Sequence, residues 1–148
     1  MPVINAAGSF NTGRDAHIVI RTGAGRELDL PNLTNWDAKQ ESTMVSVKPQ
    51  ATGLRLHGNL PDGWTGSFDN ERDGPELDDL FAQDEVDWLD NGVIQNGTIF
   101  QYVNEPDGSR STYAFDNVAF KLDNAGAYAA DKTVAQKVSW AATRRRRV

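Results

Sequence analysis

The chain has 148 residues, 39% of them hydrophobic, with thirteen glycines and no cysteine. One domain over 1–148 is the natural count for that length, and the missing cysteines exclude a disulfide framework and a thiolate metal site. The net charge of −6 is uneven: Arg144–Arg147 hold four of the fifteen bases, leaving residues 1–143 with eleven bases against twenty-one acids, a balance of −10 that argues against nucleic-acid binding by bulk field.

Residues 1–15 read as an extended N-terminal arm whose only large anchor is Phe10. They lack the basic start and apolar block of a signal peptide, and no run in the chain approaches membrane-spanning length, so no membrane partner is expected. A first strand follows, with Ala16, Ile18, Ile20 and Thr22 on one face and His17, Val19 and Arg21 on the other. Gly23-Ala24-Gly25 opens like a dinucleotide fingerprint. The third glycine is missing, however, and Pro31 stands where a crossover helix should grow, so the segment reads as a hairpin turn. A second, broken strand passes Leu28, Leu30 and Leu33 toward Trp36. Residues 39–61 are weakly patterned: Met44, Val45 and Val47 form an apolar patch ended by Pro49, and Leu54 and Leu56 alternate with Arg55 and His57. Two short strands in a protruding hairpin fit this best.

Gly63 to Gly92 is the stretch around which the chain is organised. Trp64, Gly66 and Phe68 alternate with Thr65, Ser67 and Asp69 as a strand. A helix over 75–91 follows, with Pro75 in its first turn, Asp73 as its cap and Asn91-Gly92 as its left-handed stop. Leu77, Leu80, Phe81, Trp88 and Leu89 recur at helical spacing as one stripe expected to pack on the core, which puts Trp88→Ala at about 3–5 kcal/mol. Ten acids and one base lie between Asp69 and Asp90, so the outer face is an acidic partner surface carried by Asp69, Glu71, Asp78, Asp79, Asp84 and Asp87.

Beyond the helix, Thr98, Phe100 and Tyr102 alternate with Ile99, Gln101 and Val103, and Pro106-Asp107-Gly108 turns the chain. The return strand shows Tyr113 and Phe115, then Val118, Phe120 and Leu122; the odd-to-even slip at Asp116-Asn117 implies a bulge. A last strand carries Val134, Val138 and Trp140. About seven strands and one helix argue a mainly β fold, an antiparallel β-sandwich or barrel with one flanking α-helix.

Motifs for chemistry are weak. Asp69-x-Glu71-x-Asp73-Gly74 resembles half a calcium loop, but its twelfth position is Leu80, and His17 and His57 have no second ligand at metal spacing. Carboxylates such as Asp78-Asp79 are splayed on a helix rather than converging on a bond. No catalytic residue, metal or cofactor is assigned, and no enzyme is expected. Arg144–Arg147 form a basic C-terminal tail (144–148) with three readings: a solvated end, a phosphate contact, or a partner for the acids of another copy.

The run Gly63-Trp64-Thr65-Gly66-Ser67-Phe68-Asp69-Asn70-Glu71-Arg72-Asp73 leads into Leu77-Asp78-Asp79-Leu80-Phe81. Together with Phe120-Lys121-Leu122-Asp123-Asn124-Ala125-Gly126 and Ala130-Asp131-Lys132-Thr133-Val134, it resembles the tail tube protein of contractile-tailed bacteriophages. That family is related to bacteriocin tubes and the type VI haemolysin-coregulated protein. The resemblance covers about the last 85 residues well and the first 60 by pattern. It implies a tail-tube-like fold and six-copy rings stacked into a hollow inner tube through which DNA passes. Implied partners are further copies of the chain, a tail sheath protein, and baseplate, initiator and terminator proteins. The place is the virion, assembled in the bacterial host cytoplasm. On this reading 39–61 is the stacking loop, and Phe10, Met44, Val45, Val47, Leu54, Leu56 and Arg144, Arg145, Arg146 and Arg147 meet neighbouring subunits. The alternative is a small β-domain binding module that holds nucleic acid or an acidic protein through its arginine tail.

Overall fold

A computed structural model of the chain describes residues 10–23 and 25–148. Residues 1–9 of the expected arm lie outside the described residues. Phe10 is exposed, and a 3-10 turn at Gly13–Asp15 follows, where the Asp15 carboxylate accepts from the Thr12 amide (2.8 Å). The described residues form β1 (Ala16–Arg21), β2 (Glu27–Asp29), β3 (Leu33–Val47), β4 (Leu56–Glu71), α1 (Glu76–Asn91), β5 (Gly97–Asn104), β6 (Arg110–Asn124), β7 (Ala135–Ala142) and β8 (Arg144–Arg147). The strands pair antiparallel in the order β2-β1-β5-β6-β7-β4-β3, with β8 also on β6. The architecture is the mainly β, antiparallel one expected, with one helix. The strands number eight rather than about seven because the four arginines form a strand. β2 and β3 end the sheet without pairing to each other, so it stays open.

Gly23 and Gly25 sit in the turn between β1 and β2, where Thr22 N–H bonds to Arg26 C=O (2.8 Å) and Gly25 takes φ +89. The segment is a hairpin turn, not a phosphate loop. β6 is where the sheet folds over. Arg110–Phe115 pair with β5, and Ala119–Asn124 pair with β7. Between them, Asp116 and Asn117 stand opposite Thr98 alone, and Asn117 takes φ 55. The extra residue reverses the alternation, so Phe115 and Val118 both face inward and both are fully buried. This is the slip legible in the sequence, and it lets one strand serve two layers.

The two layers share one core. Ile18, Ile20, Leu28, Ile99 and Phe115 come from one half, and Phe68, Val138 and Trp140 from the other. Trp36 stacks on Trp140 (ring centroids 5.1 Å apart, 16° between planes), and Phe115 meets Trp140 edge-on at 4.9 Å. Such aromatic pairs contribute about 0.5–1.5 kcal/mol beyond the area they bury. Gly66 makes the packing possible, since a Cβ there would collide with the Trp140 ring and the Asp37 carbonyl.

α1 begins at Glu76, with Pro75 in the cap position and no side-chain cap, so the expected Asp73 cap does not form. The helix start is tied to the sheet instead by Asp78, which accepts from Arg72 Nε (2.9 Å) and from Nε2 of the buried Gln136 on β7 (2.8 Å). Its end is the expected one: Gly92 takes φ +67 and donates to Trp88 C=O (3.0 Å), while Val93 donates to Asp87 C=O (2.9 Å). Leu77 and Leu80 are buried in the core and Phe81 packs against it. Trp88 and Leu89, expected to pack there too, are 56% and 68% exposed. Trp88 does lie on the stripe, three turns from Leu77. Only the first turns of the helix reach the core, and its last turns project past it.

Candidate assembly surfaces

The first surface is the end of the β3–β4 hairpin. The two strands pair from Leu33↔Asn70 out to Val47↔Leu56. β7 supports β4 only from Glu71 to Trp64. Beyond Trp64 the ribbon is two-stranded among the described residues, and Ser42–Val47 alone spans about 20 Å at the rise of an extended strand. The expected hairpin exists, but as the outer part of two long strands rather than as two short ones. At its root, Asp62 and Gly63 stand opposite Glu41 alone, and Gly63 takes φ +97.

Residues opposite each other in an antiparallel pair share a face. The pairs Thr43↔Leu60, Val45↔Gly58 and Val47↔Leu56 therefore lie together, while Met44, Ser46, His57 and Asn59 lie on the other side. Val47 and Leu56 are 61% and 56% exposed, and Met44, Val45, Leu54 and Leu60 are exposed as well. Gly58 leaves a shallow dip of about 450 Å³ lined by Val45, Val47, Leu56 and His57. A free two-stranded ribbon is marginal in water, and an apolar stripe on one marks a contact surface. The charge here is of one sign: between Glu41 and Asp62 stand Lys48 and Arg55 and no acid.

The second surface is the far end of α1. Val86, Trp88, Leu89, Val93 and Ile94 are exposed together around the helix stop. Of these, Val86 lines a groove of about 520 Å³ between the helix and the β1–β2 turn, with Arg26, Leu28, Leu80, Asp84 and Asp87 among the other lining residues. Burial, and after it the charge of Asp87, pushes the Asp84 carboxyl above its ordinary range. The helix carries seven acids and no base. Glu76, Asp78 and Asp79 complement the positive N-terminal end of the helix dipole, and the last turn holds no base of its own at the negative end. Of the expected acidic surface, Asp79, Asp84 and Asp87 line the groove. Asp78 is engaged by Arg72 and Gln136, and Asp69 and Glu71 are half-buried on β4.

The arginine end, which the sequence left open as a solvated end, a phosphate contact or a partner for another copy, is a strand on its own chain. Arg144–Arg147 pair with Asp116–Tyr113 of β6. Alternation splits them. Arg146 makes two hydrogen bonds to Asp116, one of 3.0 Å, and Arg144 lies 3.9 Å from the same carboxylate. The Arg146 hydrogen bond chiefly, with the charges of Arg146 and Arg144, holds the Asp116 carboxyl below its ordinary range against the opposing effect of burial. On the other face, the Arg145 guanidinium stacks 3.8 Å from the Tyr113 ring centroid and 4.9 Å from that of Trp64, and Arg147 donates to Ser111 Oγ (3.3 Å). Within the chain, Arg144 and Arg146 thus share Asp116 as their electrostatic partner.

Sequence reasoning missed Leu60, Gly58, Val93 and Ile94. An apolar pair directly after the helix-ending Asn91-Gly92 was a usable signal; the face shared by Gly58 and Leu60 was not, because it depends on the register past the bulge. Among the described residues, no three acidic or histidine side chains converge as for a metal, and no helix is long and apolar enough to cross a membrane.

Neither protein-family models nor curated protein sequences match the chain. Solved structures do. The fold is similar to a chain of the sheath-tube complex of an extracellular contractile injection system (PVC, extended state), with TM-score 0.58 and 9% identity over 97% of this chain and 95% of that one. It is similar also to a chain of the tube-terminating cap of the anti-feeding prophage, with TM-score 0.58 and 8% identity over 97% and 95%. A third likeness is to a chain of the tail of a gene transfer agent particle reconstructed with C6 symmetry, with TM-score 0.54 and 14% identity over 94% and 99%. The chain thus has a tail-tube-like fold.

Proposed function

We propose that this chain is a structural subunit that polymerises with itself into stacked rings of six copies, forming the hollow inner tube of a contractile phage-type tail. The observation that carries this reading is the β3–β4 ribbon. It projects from a tail-tube-like fold, carries Val45, Val47, Leu56 and Leu60 on one solvated face, and has no strand on the outer side of β3 among the described residues. An open edge can add a neighbour's strand, and an apolar face can be covered by a neighbour's surface.

In the tube, Met44, Val45, Val47, Leu54 and Leu56 contact the next ring, and Phe10 reaches an adjacent subunit. The whole chain, 1–148, acts as one domain. The negative balance of the body suits a conduit that DNA passes without being held, since a basic wall would bind phosphate. A sheath protein outside the tube and baseplate and terminator proteins at its ends complete the set of partners in the virion, with assembly in the host cytoplasm. The role is mechanical, not catalytic.

Sedimentation velocity over a concentration series tests this. Growth from the 16.3 kDa chain to large ring- and tube-sized species is expected. A chain that stays at monomer mass at the highest soluble concentration overturns the proposal.

A further inference from the structure

Alternation divides the arginine strand into two unlike pairs. Arg144 and Arg146 share the Asp116 carboxylate. Arg145 and Arg147 lie on the other face and meet no carboxylate among the described residues. The contrast with Arg72 is direct. Arg72 and Arg145 are the half-buried arginines of the described chain, and Arg72 meets Asp78 at 2.9 Å. Arg145 has ring faces for neighbours instead: Tyr113, Trp64 and, farther off, Phe115 at 5.6 Å.

Those rings hold the guanidinium by its faces and leave its edge unanswered. Its Nε is sealed from solvent without an acceptor. Burial, opposed in part by the charge of Tyr113, lowers the guanidinium from its ordinary value. Stacking offsets some of that desolvation, but a planar fork held by its faces is completed by two oxygens lying in its plane. Arg147 stands two residues on, about 7 Å along the strand, where it donates to the buried Ser111 Oγ (3.3 Å). Two cations on one face with no anion between them repel, and an anion placed between them removes the repulsion. β8 pairs with β6 alone, so no strand of the described residues occupies its outer edge.

We propose that the Arg145–Arg147 face of β8 receives a carboxylate side chain from a second copy of the chain. The Arg145 fork makes the bidentate contact, the aromatic rings hold the fork in place, and Arg147 adds the second charge. Carboxylate is the anion this chain has in excess, with twenty-one acids against fifteen bases. Among the described residues, ion pairs engage only Glu27, Asp29, Asp37, Asp78 and Asp116. A nucleic acid would meet the repulsion of that excess, and two unpaired arginines are few to overcome it. The contact rests on the proposed tube-subunit role and adds an electrostatic anchor to it.

Arg145→Lys keeps a cation between the rings and removes the fork, while Arg147→Gln removes the second charge. Each should raise the concentration needed for assembly about tenfold, and the pair about 100-fold, by sedimentation velocity. Melting of the unassembled chains checks that each variant is folded. A further arm needs no variant to fold: inorganic phosphate, exchanged for chloride at constant ionic strength, should raise the parent's assembly concentration at least about threefold by competing for the fork. Carbodiimide then finds the partner, since it condenses a carboxylate with an amine beside it. Isotopically heavy and light Arg145→Lys chains, mixed and assembled, should give an amide between position 145 and an Asp or Glu peptide of the other label.

Unchanged thresholds in folded variants, no effect of phosphate on the parent, or a position-145 amide only between peptides of like label overturns the carboxylate contact and leaves the tube-subunit role standing. Retention of a single-stranded oligonucleotide that depends on Arg145 and Arg147, with assembly unaffected by either substitution, overturns it in favour of nucleic-acid phosphate. Failure of the parent chain to assemble overturns both the contact and the role.

Discussion

Replacing Val47 and Leu56 together by serine should uncouple folding from assembly. The two side chains face each other across the hairpin and are 61% and 56% exposed, so the isolated subunit draws little from them. Exposed substitutions of this kind stay within about 0.5 kcal/mol, about 1–2 °C in Tm for a chain of this size. Assembly is different. Burying a valine or leucine side chain fully is worth about 1.5–3 kcal/mol. Covering the remaining half to three-fifths therefore contributes about 1–2 kcal/mol per residue and about 2–4 kcal/mol for the pair. At about 1.4 kcal/mol per decade, the concentration needed for assembly should rise about 30- to 1000-fold. A dilution series followed by sedimentation velocity, beside thermal melts of parent and variant, measures both quantities. A threshold within about threefold of the parent would refute the reasoning that this stripe is an interface. A fall in Tm above about 5 °C would refute it differently, by showing that the stripe holds the subunit together.

Trp88→Ala should leave thermal stability within about 0.5 kcal/mol of the parent, as for other exposed positions. Trp140→Ala, which removes a buried ring stacked on Trp36, should cost about 3–5 kcal/mol. Comparable losses by calorimetry would show that the helix end is packed after all. Arg145→Ala removes a guanidinium from the Tyr113 and Trp64 rings and should destabilise by about 1–2 kcal/mol; a neutral result in denaturant titration would count against the stack. Asp116 has a depressed folded-state value, so its contribution is present above the ordinary carboxylate pKa near about 4 and is lost as pH falls through the lower folded value. Amide exchange of β8 should therefore be insensitive to this pair from about pH 5 to 8 and loosen selectively only in acid. Selective loosening near neutral pH would point to another group.

Local signals in the sequence reached the backbone well. The period-two runs located β1, β5, β6 and β7, the Asn91-Gly92 stop ended the helix where expected, and the parity slip at Asp116-Asn117 exposed the bulge that folds the sheet over. These features depend on neighbouring residues alone. What failed depends on how far one element extends past another. Helical spacing put Trp88 on the same stripe as Leu77, but spacing says nothing about where the core ends. The four arginines read as a tail, solvated or reaching a partner, because four identical charges hide a strand alternation. Only the pairing of Phe115 with Arg145 and Asp116 with Arg144 shows one face stacking on aromatics and the other meeting a carboxylate. The exposed hairpin residues Met44, Val45, Val47, Leu54 and Leu56 were legible because an apolar patch broken by Pro49 and Gly53 has no local place to go. The exposed pair Val93 and Ile94 lies past the helix stop, where helical spacing carries no information.

The account rests on this chain completing itself with further copies of itself. Electron micrographs of the purified, concentrated protein test that most directly. Rings with a central opening, stacking axially into hollow tubes, are the predicted result. Uniform single-copy particles at every concentration, with neither rings nor tubes, would contradict it.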